Sequence, residues 1–243
     1  MDPARVLVVQ HEVGAPAGWF GDALQESGCR LTVATPYDGS GLPALDGFAG
    51  LLVLGGAVDS WDDEAAPGLP ATRDLVRRAE RDRLPVLGIC LGHQIAAHAL
   101  GGASGRNPAG RTISIEPVSW LPAAGDDPLV ADCRTAGRAV HWNRDVVLTL
   151  PDGATTLACS ADGAVQAGRL GECVWGIQSH PEVDAAIVAE WMDEEWDTTP
   201  AAEQQVLSDL VDAVRSEEHS LRSAWLPLAE SFARLVREGV PSR

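Results

Sequence analysis

The side chains of this 243-residue sequence that could do nucleophilic chemistry begin with Cys90. Cys90 stands in Gly-Ile-Cys-Leu-Gly (88–92), between a short apolar run and an alanine-rich segment. This order predicts a strand, a sharp turn that carries the sulfur, and a helix. Glycines on both sides permit a strained backbone without bulk, and the amino end of the helix would favour the thiolate. Taken alone, the pattern also fits a buried structural cysteine, because free cysteine is among the most buried residue types.

A second motif offers a base and a group that could orient it. Gln-Ser-His-Pro-Glu (178–182) follows a buried apolar run at 174–177. In an extended segment, residues i and i+2 point the same way, so Glu182 can lie beside the ring of His180, fix its tautomer and stabilise the imidazolium. Cys90 and His180 both come just past a predicted strand. Because reactive groups of a parallel sheet gather beyond the carboxyl ends of its strands, contact between these two residues is compatible with the fold.

The elements that must position these groups alternate between strands and helices in the first hundred residues. Near-continuous apolar runs predict buried strands at 5–10, 30–35, 50–54 and 86–89, and amphipathic patterns predict helices at 18–27 and 69–83. This alternation predicts a parallel sheet covered on both faces.

The pattern of the sequence changes after residue 100, from alternating strands and helices to mostly short strands. Short strands separated by glycine turns are predicted at 111–120, 139–150, 155–160, 164–168 and 173–177, as an antiparallel edge or subsheet added to the parallel core. Helices are predicted at 183–195, 199–216 and 218–238. We therefore expect an α/β fold with a flavodoxin-like parallel sheet flanked by helices, an added antiparallel segment and C-terminal helices. Residues 1–198 would form the main domain, and 199–243 a helical extension packed on it.

Composition excludes several classes of function. There are 18 basic and 35 acidic residues, a formal charge of −17, and such a surface repels nucleic acid and anionic membranes. Every basic residue is arginine, which excludes a mechanism based on a Schiff-base or P-loop lysine. The five cysteines are scattered and lack Cys-x-x-Cys spacing, which argues against a disulfide framework or a zinc site and fits a reducing cytoplasm. No apolar signal region opens the sequence. We expect a cytoplasmic protein with no metal and no cofactor.

Two long motifs carry a family resemblance. Gly-Ile-Cys-Leu-Gly-His-Gln (88–94) and Gly-Ile-Gln-Ser-His-Pro-Glu (176–182) resemble the signatures of the class I, or triad, glutamine amidotransferases. Within that family the chain is most similar to stand-alone members that resemble the amidotransferase domain of GMP synthase. Further matches occur at 54–56, 99–102 and 150–160 and at Trp142 and Asp145, so that the resemblance covers about residues 5–195.

The resemblance implies a glutaminase. Cys90 would attack the side-chain amide of glutamine to form a γ-glutamyl thioester and ammonia, with His180 as the proton carrier and Glu182 as its orienting group. The backbone N–H groups of Gly56 and Leu91 would form the oxyanion hole.

Three further residues would contact the substrate: Gln94, Trp142 and Asn143. The chain departs from its relatives at 143–144, where they tend to carry His-Gly and this sequence has Asn-Arg. This departure bears on whether free glutamine or another amide is bound.

Three functional hypotheses remain open at this point. The first is an amidotransferase subunit that delivers ammonia to an acceptor or a partner synthetase. The second is a free-standing hydrolase of γ-glutamyl amines or peptides, with water as the acceptor. The third is a non-catalytic, regulatory relative. A stable complex with a synthetase would favour the first, and glutamate release from γ-glutamyl amines by the protein alone would favour the second.

Overall fold

The computed structural model describes residues 2–38 and 41–241. Within these ranges the strands are β1 (Ala4–Val9), β2 (Cys29–Ala34), β3 (Gly50–Val53), β4 (Val86–Ile89), β5 (Ala103–Arg106), β6 (Thr112–Pro117), β7 (Ser119–Trp120), β8 (Arg138–Asn143), β9 (Asp145–Thr149), β10 (Thr155–Cys159), β11 (Val165–Arg169) and β12 (Val174–Ile177). The α-helices are α1 (Gly18–Glu26), α2 (Leu69–Arg81), α3 (Leu91–Ala99), α4 (Ala185–Glu195) and α5 (Ala201–Glu238).

The central sheet has eight strands in the order β2-β1-β3-β4-β12-β11-β10-β7. The first five are parallel, in the order expected of a flavodoxin-like sheet, and the last three continue it antiparallel. The inner strands β3, β4 and β12 of the parallel part are buried along their whole length because helices cover both faces. The predicted fold class is confirmed.

The added β-rich segment is both an edge and a subsheet. Strands β7, β10 and β11 extend the central sheet, whereas β5 pairs with β9 and β6 pairs with β8 as two separate antiparallel ribbons. The predicted strand at 139–150 is divided at Arg144, and β5 lies in a segment for which no strand was predicted. Its sequence, Ala-Ser-Gly-Arg, has no apolar periodicity, and its pairing with β9 makes it a strand.

The prediction of two C-terminal helices was wrong. Residues 201–238 form the single helix α5, because the stretch 216–218 has neither a glycine nor a proline to end a helix. Pro227 lies inside the helix. The apolar face of α5 packs through Leu228 and Phe232 into the core beside α1, and through Leu210 and Val214 against α4. The proposed division of the chain at residue 198 stays a prediction.

Candidate active site

Cys90 occupies a strained turn between β4 and α3. Its φ of +49° and ψ of −105° lie where an L-residue rarely sits, at a cost of about 1–3 kcal/mol. The two flanking glycines are required by close packing. A Cβ on Gly88 would lie 2.4 Å from the carbonyl oxygen of Gly92, and a Cβ on Gly92 would lie 2.0 Å from that of Val53. The strand–turn–helix predicted around the sulfur is therefore present, and the sulfur lies at the amino end of α3.

His180 and Glu182 lie next to each other, as their spacing predicts. His180 Nδ1 is 2.8 Å from Glu182 Oε1, and both side chains are almost fully buried. Burial opposes protonation of the ring. The charges of Glu182 and Cys90, and their hydrogen bonds to the ring, outweigh burial and raise the pKa of His180 well above its ordinary value of 6.5. This arrangement favours an imidazolium that faces the sulfur.

The strand order brings the two motifs together. Strands β4 and β12 are parallel neighbours, and the N–H of Cys90 donates to the carbonyl of Ile177 at 2.8 Å. The N–H of His180 donates to the carbonyl of Val140 at 2.8 Å, which ties the second motif to β8. The ring of Trp191 packs edge-on against the His180 ring, with 4.8 Å between centroids. The backbone contacts place the two motifs side by side, and Trp191 and Glu182 contact the imidazole ring itself.

The two residues whose amides are expected to form the oxyanion hole, Gly56 and Leu91, pack against each other. A Cβ built on Gly56 would be 2.9 Å from Cδ2 of Leu91 and 3.1 Å from Cβ of His11, so a larger residue would require both side chains to shift. In the described ranges neither of their N–H groups donates to a protein acceptor. The next residue, Ala57, is held on both sides: its N–H donates to Glu12 at 2.9 Å, and its carbonyl accepts from Arg144 at 3.2 Å. Burial raises the pKa of the Glu12 carboxyl.

The three predicted substrate contacts line one cavity with Cys90 and His180. The side-chain amides of Gln94 and Asn143 both donate to the carbonyl of Asp145, at 3.1 and 3.2 Å. The indole of Trp142 donates to Glu195 at 3.1 Å. The cavity has a volume of about 280 Å³. Gly56 also lines it, whereas Leu91 and Glu182 lie behind its walls.

Several residues at the site were not predicted. The cavity is lined by further charged side chains, namely Glu12, Arg111, Arg144, Glu194 and Glu195. Trp191, interpreted from the sequence as a packing residue, is buried but also lines the cavity. Gln178 donates through Nε2 to the sulfur of Cys90 at 3.7 Å. Its position two residues before His180, in the same motif, was the signal available in the sequence.

Two other kinds of feature are absent from residues 2–38 and 41–241. No helix there is both long and apolar enough to cross a bilayer. No group of three or more His, Cys, Asp or Glu side chains in these ranges is arranged to hold a metal ion.

Comparison with known proteins identifies relatives along most of the chain. The family model for glutamine amidotransferase class-I matches residues 19–187. The glutamine amidotransferase-like protein YfeJ of Salmonella typhimurium is 32% identical over 182 residues, which cover 73% of this chain and 75% of YfeJ. Gamma-glutamyl peptidase 5 of Arabidopsis thaliana is 26% identical, over 78% of this chain and 75% of the peptidase. One component of the glutamine-hydrolysing GMP synthase of Halobacterium salinarum is 39% identical over a shorter stretch, 41% of this chain and 54% of that component.

A solved structure has the same fold. The crystal structure of a glutamine amidotransferase from Thermotoga maritima superimposes with a TM-score of 0.83 at 24% identity, covering 95% of this chain and 98% of that one. The family model spans well over half of the chain, and the resemblance predicted from the two motifs is confirmed. The chain belongs to the glutamine amidotransferase class-I family of enzymes.

Proposed function

We propose that this protein hydrolyses the side-chain amide of glutamine through a γ-glutamyl thioester on Cys90 and releases ammonia. One observation carries the proposal: a cysteine at a strained turn faces an imidazole whose other side is hydrogen-bonded to a buried carboxylate. A structural cysteine would need none of these features.

In the first half of the reaction, the Cys90 thiolate attacks the carbon of the carboxamide. The carbonyl π electrons move to oxygen, where the N–H groups of Gly56 and Leu91 stabilise the negative charge. One such donor is worth on the order of 3 kcal/mol of barrier. As the intermediate collapses, the C–N bond breaks and the His180 imidazolium gives its proton to the leaving nitrogen. Ammonia and the thioester result.

In the second half, water replaces the amine. His180, now neutral, takes a proton from water as the oxygen attacks the thioester carbonyl. The tetrahedral intermediate then expels the Cys90 thiolate, which leaves glutamate and restores the thiolate–imidazolium pair. Glu182 stabilises the positive charge on His180 before and after the cycle and holds Nδ1 protonated.

A second candidate is hydrolysis of γ-glutamyl amines or peptides by the protein alone. Two observations favour it. The side chains of Arg111, Arg144 and Trp142 line the same cavity as Cys90 and His180, and we propose that they receive the groups attached to the departing nitrogen. A relative with similar coverage is a gamma-glutamyl peptidase. In this case the same atoms react, and an amine leaves in place of ammonia.

The destination of the nitrogen follows from which substrate is used. With glutamine, we propose transfer of ammonia to an acceptor or a partner synthetase, in line with the relative that is a component of a synthase. With a γ-glutamyl amine, no partner is needed. All five cysteines are free, which supports a reducing compartment such as the cytoplasm.

The test is glutamate release by the purified protein from glutamine and from a panel of γ-glutamyl amides, with free ammonia measured in parallel. Cys90→Ala should abolish release from every substrate. The matched control is Cys159→Ala, since Cys159 is a half-buried thiol on β10, away from the cavity, and should retain activity. Turnover by the Cys90→Ala variant would refute the mechanism. A preference for γ-glutamyl amides over glutamine would decide for the second candidate.

A zero rate in the wild type is also informative. Rapid alkylation of Cys90 would then indicate an intact nucleophile that awaits a partner, whereas a Cys90 as unreactive as a buried thiol would support the non-catalytic hypothesis.

A further inference from the structure

The buried side chain of Gln178 ends at the nucleophile. The residue is fully buried, and its Nε2 lies 3.7 Å from Cys90 Sγ, within hydrogen-bonding distance for sulfur. Its Oε1 is also buried and has no hydrogen-bond partner among the described residues. In this part of the chain, the one hydrogen bond of the amide therefore goes to the reacting atom.

Backbone contacts hold this arrangement in place. Gln178 follows β12 directly, and its N–H donates to the carbonyl of Gln166 at 2.9 Å. Cys90 follows β4, and its N–H donates to Ile177, the residue before Gln178, at 2.8 Å. Two adjacent parallel strands thus deliver the sulfur and the amide to the same point.

We propose that Gln178 is a further catalytic residue of this site, whose carboxamide N–H donates to the sulfur of Cys90 and stabilises the thiolate. The inference rests on the proposed function in that it takes Cys90 as the nucleophile. The same N–H meets the negative charge twice in the cycle: in the resting thiolate, and again when the thiolate is expelled from the second tetrahedral intermediate.

The one-sided hydrogen bonding of the amide supports this role. A buried amide oxygen without a partner is costly, and Gln178 shares this feature with Gln166; what distinguishes Gln178 is that its amide N–H donates to the sulfur of Cys90. A donor aimed at sulfur gains strength when the sulfur is ionised, because hydrogen bonds to charged acceptors are stronger than those to neutral ones.

Other groups also act on the thiolate, and they are unchanged when Gln178 is replaced. His180, backed by Glu182, faces the sulfur directly. The remaining charged residues of the cavity are Glu12, Arg111, Arg144, Asp145, Glu194 and Glu195.

Three buried histidines nearby are neutral at ordinary pH. Burial lowers the pKa of His11 to about 4, that of His93 to about 3 and that of His141 to about 4. These histidines therefore do not change their charge in the pH range over which alkylation of Cys90 is followed.

The test is the pH dependence of Cys90 alkylation by iodoacetamide, followed by mass spectrometry of the peptide that contains Cys90. Gln178→Met keeps the length of the side chain and removes the donor. The midpoint of the alkylation profile should rise by about one pH unit, a tenfold loss of thiolate relative to thiol at a fixed pH below the midpoint. The midpoint belongs to the coupled Cys90–His180 pair, so every variant is compared with the wild type by this same alkylation probe.

Gln166→Met is the matched control. Gln166 is a buried glutamine opposite Gln178 across β11 and β12, and it has no hydrogen bond to the sulfur. Its replacement should leave the midpoint unchanged. An unchanged midpoint in Gln178→Met, or an equal shift in both variants, overturns the proposal.

If thermal unfolding shows that Gln178→Met does not fold, two further variants provide the same test. Gln178→Asn is one methylene shorter and should raise the midpoint in the same way, because its amide falls short of the sulfur. Gln178→Glu places an acceptor at the sulfur and should raise the midpoint further. A midpoint at the wild-type value in either folded variant overturns the proposal. Alkylation requires no turnover, so this result is independent of whether glutamate is released.

Discussion

Replacing Glu182 by glutamine should uncouple His180 from the charge that keeps it protonated. The two side chains are at most 4% exposed and their facing atoms are 2.8 Å apart, so solvent screens this pair little. A hydrogen bond between charged groups contributes roughly 1.5–3 kcal/mol, and one pKa unit corresponds to about 1.4 kcal/mol. Loss of the Glu182 charge should therefore lower the pKa of His180 and remove this stabilisation of the imidazolium.

The sign of the effect on activity follows from the role of the imidazolium. Ammonia departure needs a protonated His180, so activity is present below the pKa of the ring and is lost as the pH rises through it. In Glu182→Gln the alkaline limb of the pH–rate profile should move to lower pH, and kcat/KM at neutral pH should fall on the order of 10- to 100-fold.

The assay is glutamate release across the pH range, with NMR titration of the His180 ring as an independent readout. Glu194→Gln is the control, since Glu194 lines the same cavity but has no hydrogen bond to the ring. A Glu182→Gln enzyme with the wild-type alkaline limb would refute the reasoning, as would an equal displacement in Glu194→Gln.

Three further predictions concern stability. Gly92→Ala should lower the free energy of unfolding by about 2 kcal/mol or more in denaturant titration, because its Cβ would meet the carbonyl oxygen of Val53 at 2.0 Å. The control Gly137→Ala, whose Cβ would meet no atom within 4 Å, should leave the free energy of unfolding unchanged, and equal effects of the two substitutions would contradict the packing account. Asp184→Ala should cost about 1 kcal/mol, measured in the same way, since the Asp184 side chain accepts from two N–H groups at the start of α4; no loss would remove this cap from the account. His11, His93 and His141 are buried with lowered pKa, so they contribute stability that is present above pH 6.5 and is lost as the pH falls, about 2 kcal/mol each by pH 5. The free energies of unfolding measured at pH 7.5 and pH 5 should therefore differ by several kcal/mol, and a pH-independent stability would contradict the burial of these histidines.

The local geometry around Cys90, His180 and Glu182 could be predicted because its signals are local. The turn at Cys90 needs glycine at 88 and 92, and the spacing of His180 and Glu182 places both side chains on one side of an extended segment. The rule that parallel strands end at one edge of the sheet made contact between the two motifs compatible with the fold, and the pairing of β4 with β12 brings it about.

What could not be predicted depends on long-range contacts. The strand β5 has a sequence of small and polar residues that becomes a strand only by pairing with β9. The length of α5 depends on what it packs against, since the boundary expected near residue 217 has no helix-breaking residue. The hydrogen bond from Gln178 to Cys90 depends on β4 and β12 being neighbours, which the sequence motif does not specify.

The most direct test of the central claim is to trap the acyl-enzyme. The protein would be mixed with glutamine or a γ-glutamyl amide, quenched in acid, and analysed by peptide mass spectrometry. The account predicts one γ-glutamyl group on the peptide that contains Cys90, and none in Cys90→Ala. Glutamate release by the Cys90→Ala variant, or an adduct on another of the five cysteines, would contradict it.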